Sequence, residues 1–292
     1  MHIDRFLSAS GGVCTRGELV DRYGRGAVDR AIRSGVVERV GRGRYGLPSL
    51  SVARKVAAGM NGVLSMRSAA QAHGWGQKRV PERPDVTFPR TRRIERAARR
   101  YVVPHWSDLP ADDVVDGVTS KRRTLVDCMR MLPLDESLAI VESALRAGDV
   151  TPAGLRAIAA AMRGRGRARA IGVAAMANTR TANPYESVLR AIASTVPGLN
   201  VVAQQPIRVA PGRELHPDLV DPALRIIIEA ESFAWHGDPA ALTRDCTRYN
   251  TFALLGWMVI RFSWSQVMFR PAYVVRVLSE AVRLAREHAN VA

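Results

Sequence analysis

Lysine is almost missing from this sequence. Lys55, Lys78 and Lys121 are its only three, so lysine-based chemistry is excluded from everything after residue 121. Cysteine is as scarce. Cys14, Cys128 and Cys246 are odd in number and far apart, which excludes a cysteine-built zinc site and a disulfide framework. No apolar run is long enough to cross a bilayer as a helix, and no signal-peptide core follows Met1-His2-Ile3-Asp4-Arg5. A soluble protein of a reducing cytoplasm, with no membrane partner, is the expectation. No internal repeat is present.

Arginine fills the gap. Lys+Arg number 43 against 27 Asp+Glu, a net charge of +16 with a sequence pI near 11.0. Coding bias toward arginine accounts for few lysines but does not require few acids. The physical reading is a polyanionic partner, bound through phosphate neutralisation and counterion release. From Asn183 onward 11 basic and 10 acidic residues nearly cancel, leaving a net of +15 upstream. Affinity for a polyanion is therefore expected in the first two-thirds, and the last third needs another explanation.

An apolar share of 47% and a charged share of 24% are ordinary for globular proteins, and 292 residues suffice for two or three domains. The expected class is α/β (α+β), with domains at 1–48, 49–180 and 181–292. In the first, Ile3, Phe6 and Leu7 share a helical face that ends at Gly11-Gly12. Thr15 and Glu18 have capping-box spacing for a second helix. A third helix runs from about Gly26 to Ser34. Val36–Val40 alternates like a strand, Gly41-Arg42-Gly43 turns, and Arg44–Leu47 returns. That order predicts a winged helix. Its third helix exposes Arg25, Asp29, Arg30 and Arg33, and its wing carries Arg42 and Arg44. These arginines are the candidate contacts to double-stranded DNA, because a guanidinium fork bonds phosphate or guanine edges in pairs.

The middle section is expected to be mixed. Helices are predicted over Ser65–His73, Ser120–Met131, Asp135–Ala147 and Thr151–Met162, and strands over Asp85–Phe88 and Tyr101–His105. Arg163–Arg169 alternates arginine with small residues like a flexible linker. Arg90, Arg92, Arg93, Arg96, Arg99 and Arg100 form a further basic cluster. His73 and His105 read as structural residues, and nothing in this section looks catalytic.

In the last third the predicted order is a helix (Tyr185–Ser194), strands at Val201–Val209, Arg213–Val220 and Leu224–Glu231, a helix (Ala240–Leu255), a strand (Trp257–Phe262) and a closing helix (Pro271–Ala289). Side chains two apart on a strand share a face, so Glu229 and Glu231 point together. A turn at Pro222-Ala223 can bring Asp218 beside Glu229. Ile226-Ile227-Ile228 marks a strand buried on both faces, where a carboxylate is costly without a cation or donor. Asp218 and Glu229 are therefore candidate ligands for Mg²⁺ or Mn²⁺, with Glu186 holding a water or second ion. Such a site suits phosphodiester hydrolysis. Arg244 and Arg248, four apart on one helix, are expected near the phosphate. Leu242, Cys246, Tyr249 and Ala253 are expected as that helix's buried stripe.

His216-Pro-Asp-Leu219 followed by Ile228-Glu-Ala-Glu231 resembles the PD-(D/E)xK nuclease motif. Asn183-Pro-Tyr-Glu186, Trp235-His-Gly237, Arg244-Asp245, Arg248 and Gly256–Phe262 are similar to a bacterial domain of unknown function related to very-short-patch-repair endonucleases. The front, through Gly11–Arg16 and Arg42–Tyr45, resembles the winged helix of AbiEi-type antitoxins of type IV toxin–antitoxin systems. Ser65–Gly74 and Thr124–Asp127 extend that resemblance into the middle. The resemblance implies a restriction-endonuclease-like core, a DNA substrate and, for the antitoxin part, a cognate toxin as partner. One departure stands out: the motif's lysine falls on Glu231. His236, His216 or Arg248 are the candidates to take its place. The alternative is a fold kept without activity, serving a non-enzymatic repressor.

Overall fold

The computed structural model describes residues 3–10, 12–231 and 239–291, and these form an α/β fold. Helix α1 (Ile3–Ala9) leads into a short strand β1 (Val13–Thr15). Thr15 then starts α2 (Arg16–Tyr23) by the predicted reciprocal cap. Its hydroxyl accepts from the Glu18 N–H at 3.2 Å, and the Glu18 carboxylate accepts from the Thr15 N–H at 2.7 Å. After Gly24, at φ +76°, comes α3 (Arg25–Arg33). Strands β2 (Glu38–Gly41) and β3 (Arg44–Gly46) follow as an antiparallel pair, in a sheet ordered β1-β3-β2. Leu7, Cys14, Leu19, Val28 and Val37 are buried together beneath it. Strand β1 was not legible because its three residues owe their pairing to β3.

The next elements are α4 (Val52–Gly59), β4 (Val63–Leu64), α5 (Met66–Ala72), β5 (Asp85–Phe88), β6 (Val103–Trp106), β7 (Val114–Val115), β8 (Val118–Thr119) and α6 (Lys121–Met131). The five strands form a mixed sheet ordered β6-β5-β4-β8-β7. Two-residue strands show no alternation, which is why β4, β7 and β8 escaped sequence reading. Strand β2 and the end of α4 meet at backbone distance. A Cβ on Gly41 would lie 2.5 Å from the Gly59 Cα, so glycine is required there. Leu64, Val86, Phe88 and Val118 belong to an apolar core. Ser65, Asp85, Thr87 and Thr119 are buried polar residues of the same region. Asp85 receives Arg67 at 3.0 Å and His105 at 2.8 Å. Burial pushes the Asp85 carboxyl up, but the His105 and Arg67 hydrogen bonds outweigh it and hold the carboxyl below its usual value. His73 lies 2.9 Å from the Thr119 carbonyl, so both histidines have structural partners.

The remaining helices before the last sheet are α7 (Leu134–Arg146), α8 (Pro152–Ala161), α9 (Arg167–Met176) and α10 (Pro184–Ala193). Thr151 caps α8 through the Gly154 N–H at 3.0 Å. Contacts divide the chain into one unit of Met1–Met131 with Ala161–Arg165 and another of Leu132–Ala160 with Gly166–Ala292. The expected 49–180 block is thus shared between the two. The reason is a buried charge: Glu142 of α7 is fully buried and accepts from Arg190 of α10, the Thr181 hydroxyl at 2.9 Å and the Asn178 N–H at 2.9 Å. Glu142 and Arg190 cannot separate without stranding an ion in an apolar interior. The last three residues of the expected Arg/Gly linker, Arg167 to Arg169, are helix, because Ala170, Val173 and Ala174 of α9 are buried.

The second unit's sheet runs β14-β13-β12-β9, built from β9 (Val202–Ala203), β12 (Leu219–Asp221), β13 (Ile226–Glu231) and β14 (Met258–Ser263). Strands β10 (Ile207–Ala210) and β11 (Arg213–Leu215) form a separate ribbon. The two long strands expected at Val201–Val209 and Arg213–Val220 are each broken. Gln204 sits at φ +52°, and Pro206 and Pro217 have no N–H to offer a ladder. Helices α11 (Pro239–Leu254), α12 (Trp264–Phe269) and α13 (Pro271–Val291) complete the unit. Ile226, Ile227 and Ile228 are all fully buried. Ile226 and Ile228 pack into one core with Val188, Leu189 and Leu278, and Ile227 into another with Val220 and Phe252. The stripe on α11 is not the expected one. Leu242, Cys246 and Ala253 are exposed, while Arg248 and Tyr249 are half-buried and Phe252 is buried. The helix face is rotated by about one residue because charged and aromatic side chains, not aliphatic ones, face the sheet. No helix among the described residues is long and apolar enough to cross a membrane.

Candidate active site

The register of β12 against β13 places the carboxylates. Leu219 pairs with Ile228 in antiparallel sense, so Asp218, one residue before β12, lies across from Glu229. The Asp218 N–H donates to Glu229 Oε2 at 3.3 Å, and Asp218 Oδ2 accepts from the Ala230 N–H at 2.8 Å. The turn that folds β12 back onto β13 is closed by Asp221, whose carboxylate accepts from the Ala223 and Leu224 N–H groups at 3.1 and 3.0 Å. On the other side of β13, Glu229 pairs with Arg261 of the parallel strand β14. Asp218, at the entry to β12, Glu229 of β13 and Arg261 of β14 therefore fall in one row.

Glu186 joins this row from α10. Gln204 is the link: its amide nitrogen donates to Asp218 Oδ1 at 3.2 Å and to Glu186 Oε2 at 3.4 Å. Sequence reading missed Gln204; the only signal was the strand break just before Pro206. Glu186 also accepts from the Ala182 N–H at 2.8 Å and the Asn183 side chain at 2.8 Å, an arrangement fixed by Asn183 as the cap of α10.

The electrostatics are those of crowded acids. Burial, then the Asp218 charge, pushes the Glu229 carboxyl up to about 7, against the pull of Arg248. Burial also raises Asp218, opposed by the Ala230 N–H and the hydrogen bond with Glu229. Glu186 is raised by burial and then by Asp218. Three carboxyl groups in one neighbourhood are thus each less acidic than in water, the condition that a bound cation relieves.

Arg248, expected at a phosphate or beside the carboxylates in place of a lysine, lies at the carboxylates. Its guanidinium is committed to Glu229 Oε1 at 2.9 Å and to the His216 carbonyl at 2.8 Å, rather than lying open for a phosphate. Arg244 is exposed, one turn earlier on α11. Glu231 accepts from the Tyr249 hydroxyl and from Arg261 at 2.8 Å. Arg261 in turn lies 3.9 Å over the Tyr249 ring. His236 lies outside the described residues. Among the described residues, no three His, Cys, Asp or Glu side chains come together as a preformed metal cage. Two oxygen-donor side chains still fit a hard cation that completes its shell with water and substrate oxygens.

In the first unit, Arg25, Arg30 and Arg33 are exposed along α3, and Arg42 is exposed at the turn between β2 and β3. None of these four has an ion-pair partner among the described residues. Two neighbours behave differently. Asp29 is tied to Arg16, and Arg44 turns to the Asn61 side chain at 2.6 Å and is half-buried. Arg44 is therefore held against the turn after α4 rather than projecting from the β2–β3 hairpin, where it was expected to reach DNA.

No protein-family model matches the chain. Two relatives from Mycobacterium tuberculosis are similar to it, the uncharacterized protein MT2308 of strain CDC 1551 / Oshkosh and the uncharacterized protein Rv2248 of strain ATCC 25618 / H37Rv. Each is 29% identical over 173 residues, which is 58% of this chain and 60% of the relative. The chain thus spans well under two-thirds of the length of these relatives.

Proposed function

We propose that this is a cytoplasmic DNA-binding protein whose second unit is a divergent metal-dependent endonuclease. The observation that carries the reading is that Asp218, at the entry to β12, lies beside Glu229 of β13, with both carboxyls raised in pKa by burial and Glu229 also by its neighbour's charge. Asp218 and Glu229 would hold Mg²⁺ or Mn²⁺. When bound, that ion supplies charge neutralisation at the phosphate and activation of water. The chain's own residues do the rest. Gln204 orients Asp218 and couples it to Glu186; Arg248 restrains Glu229; Tyr249 and Glu231 hold the Arg261 guanidinium one strand away. The first unit's order, helix, strand, two helices and a hairpin, supports reading it as a winged helix. Arg25, Arg30, Arg33 and Arg42 are its unpaired cations for duplex phosphates and base edges. The resemblance to repair-endonuclease-like and AbiEi-type sequences agrees with both parts.

A second reading rests on Arg248. A guanidinium already seated on Glu229 neutralises the charge that a cation would otherwise meet. That favours a non-enzymatic, antitoxin-like repressor with a cognate toxin as partner and an inactive nuclease fold. Incubation with supercoiled, mismatched and single-stranded DNA in Mg²⁺ or Mn²⁺ separates the two. The nuclease reading expects nicking that Asp218→Ala abolishes without loss of DNA affinity. Cleavage that persists in the purified Asp218→Ala, Glu229→Ala variant ends it. Intact DNA binding with no cleavage of any substrate moves the assignment to the repressor.

A further inference from the structure

The basic cluster of the middle section has a structural context that the proposed function does not use. A 3₁₀ turn (Arg96–Arg100) feeds β6, and β6 is an outer strand of the five-stranded sheet. Arg90, Arg92, Arg93, Arg96, Arg99 and Arg100 are all exposed along this margin. Arg90 lies 3.9 Å from Asp108. The other five have no carboxylate partner among the described residues.

Two aromatic side chains stand among these charges. Tyr101 is 54% exposed and Trp106 is 41% exposed. Trp106 is held in position. The Trp106 indole N–H donates to the Arg92 carbonyl at 2.9 Å, and Arg83 braces the same stretch through the Arg99 carbonyl at 3.0 Å. The Arg99 guanidinium lies 5.6 Å from the Trp106 ring centroid, and that of Arg100 lies 4.7 Å from the Tyr101 ring. Single exposed aromatics need no explanation. Two exposed rings, one of them anchored, set among uncompensated guanidiniums are a different surface. An apolar protein face would have to bury those charges unpaired, at high cost. A strand with phosphates at regular spacing and flat, unpaired bases satisfies both groups at once.

We propose that this sheet margin binds single-stranded nucleic acid, with the arginines on phosphates and Trp106 and Tyr101 stacked on bases. Duplex DNA keeps its base faces inside the stack and offers these rings nothing. The inference rests on the nucleic-acid half of the proposed function and is independent of the catalytic half.

The test uses the full chain in EDTA, so that cleavage plays no part, with fluorescence anisotropy of a labelled oligopyrimidine strand and of a blunt duplex. The expected result for Tyr101→Ala, Trp106→Ala is single-strand affinity weakened about tenfold or more, with duplex affinity changed by less than about twofold. Tyr101→Phe, Trp106→Phe should restore the loss, which separates stacking from folding. Changing Arg96, Arg99 and Arg100 to Gln should flatten the single-strand salt dependence by about 2 in log–log slope. Equal losses on strand and duplex, or no loss on the strand, overturn the proposal. Strand binding that survives in a protein without duplex affinity leaves this inference standing and removes the winged-helix one.

Discussion

Asp218→Asn should flatten the pH dependence of the second unit's stability. The Glu229 carboxyl has an ordinary value of 4.5 and is raised to about 7 in the folded protein by burial and by Asp218. Below both values the folded and unfolded chains carry the same proton. Between them the unfolded chain has released it and the folded chain keeps it. The folded state then binds more protons, so stability falls as pH rises through this window and levels off above about 7. The gap corresponds to about 3 kcal/mol at most, and Glu229 is only 5% exposed, so solvent screening discounts little of it. For a unit of this size that is roughly 6–12 °C in melting temperature. Asp218 and Glu186 are raised as well and add to the same slope. The Asn variant removes one charge and relieves its neighbours; its single amide oxygen can accept from the Ala230 N–H or from the Gln204 amide but not from both, which adds an offset independent of pH. Melting temperatures of both proteins from about pH 4 to pH 8 give the slopes directly. Mg²⁺ at about a hundred times its dissociation constant should return roughly 2.7 kcal/mol to the wild type at the alkaline end, and nothing to Asp218→Asn. Parallel pH profiles for the two proteins would refute the argument that these acids repel one another.

Arg248→Met should cost up to about 3–5 kcal/mol at about pH 8, where Glu229 loses its counter-charge and two of its three hydrogen bonds and is pushed further toward protonation, and much less at about pH 5, where it is protonated in both proteins; chemical denaturation at the two pH values reads the difference. Glu142→Gln should destabilise the second unit by a similar amount, about 3–5 kcal/mol, by stranding Arg190, a loss visible as a lowered denaturation midpoint. Arg30→Gln with Arg42→Gln should weaken duplex binding across all sequences and reduce the salt slope by about 1 per lost phosphate contact, measured by anisotropy over a salt series. Thr15→Ala should cost about 1 kcal/mol in the first unit through the lost cap, seen as an early transition in thermal unfolding.

The elements legible in the sequence were those whose signal is local. Thr15 with Glu18, Asn183 with Pro184, and the three consecutive isoleucines of β13 each dictate their own neighbourhood, through capping geometry or two-sided burial. The convergence of Asp218 on Glu229 followed from parity plus one turn, and the register bears it out. What could not be read was set by distant partners. Two- and three-residue strands such as β4 and β8 exist only through their neighbours. The break at Gln204 depends on a backbone at positive φ, and it is this break that places the amide between two carboxylates. The place of Arg248, at a phosphate or at the carboxylates, stayed open because a sequence does not show that Glu229 is within reach. Glu142 gave no warning that α7 belongs with α10, since a single buried acid in an amphipathic helix looks like any other surface glutamate until its arginine is found.

Metal-dependent cleavage by the second unit would require Asp218 and Glu229 to share one divalent ion. Calorimetric titration of Mn²⁺ into the apo protein near pH 6, in two buffers of different ionisation enthalpy, measures this directly. The prediction is one ion per chain with a proton released from Glu229, and loss of both signals in Asp218→Ala, Glu229→Ala. Binding of unchanged stoichiometry in that double variant, or no proton released on binding to the wild type, would contradict it.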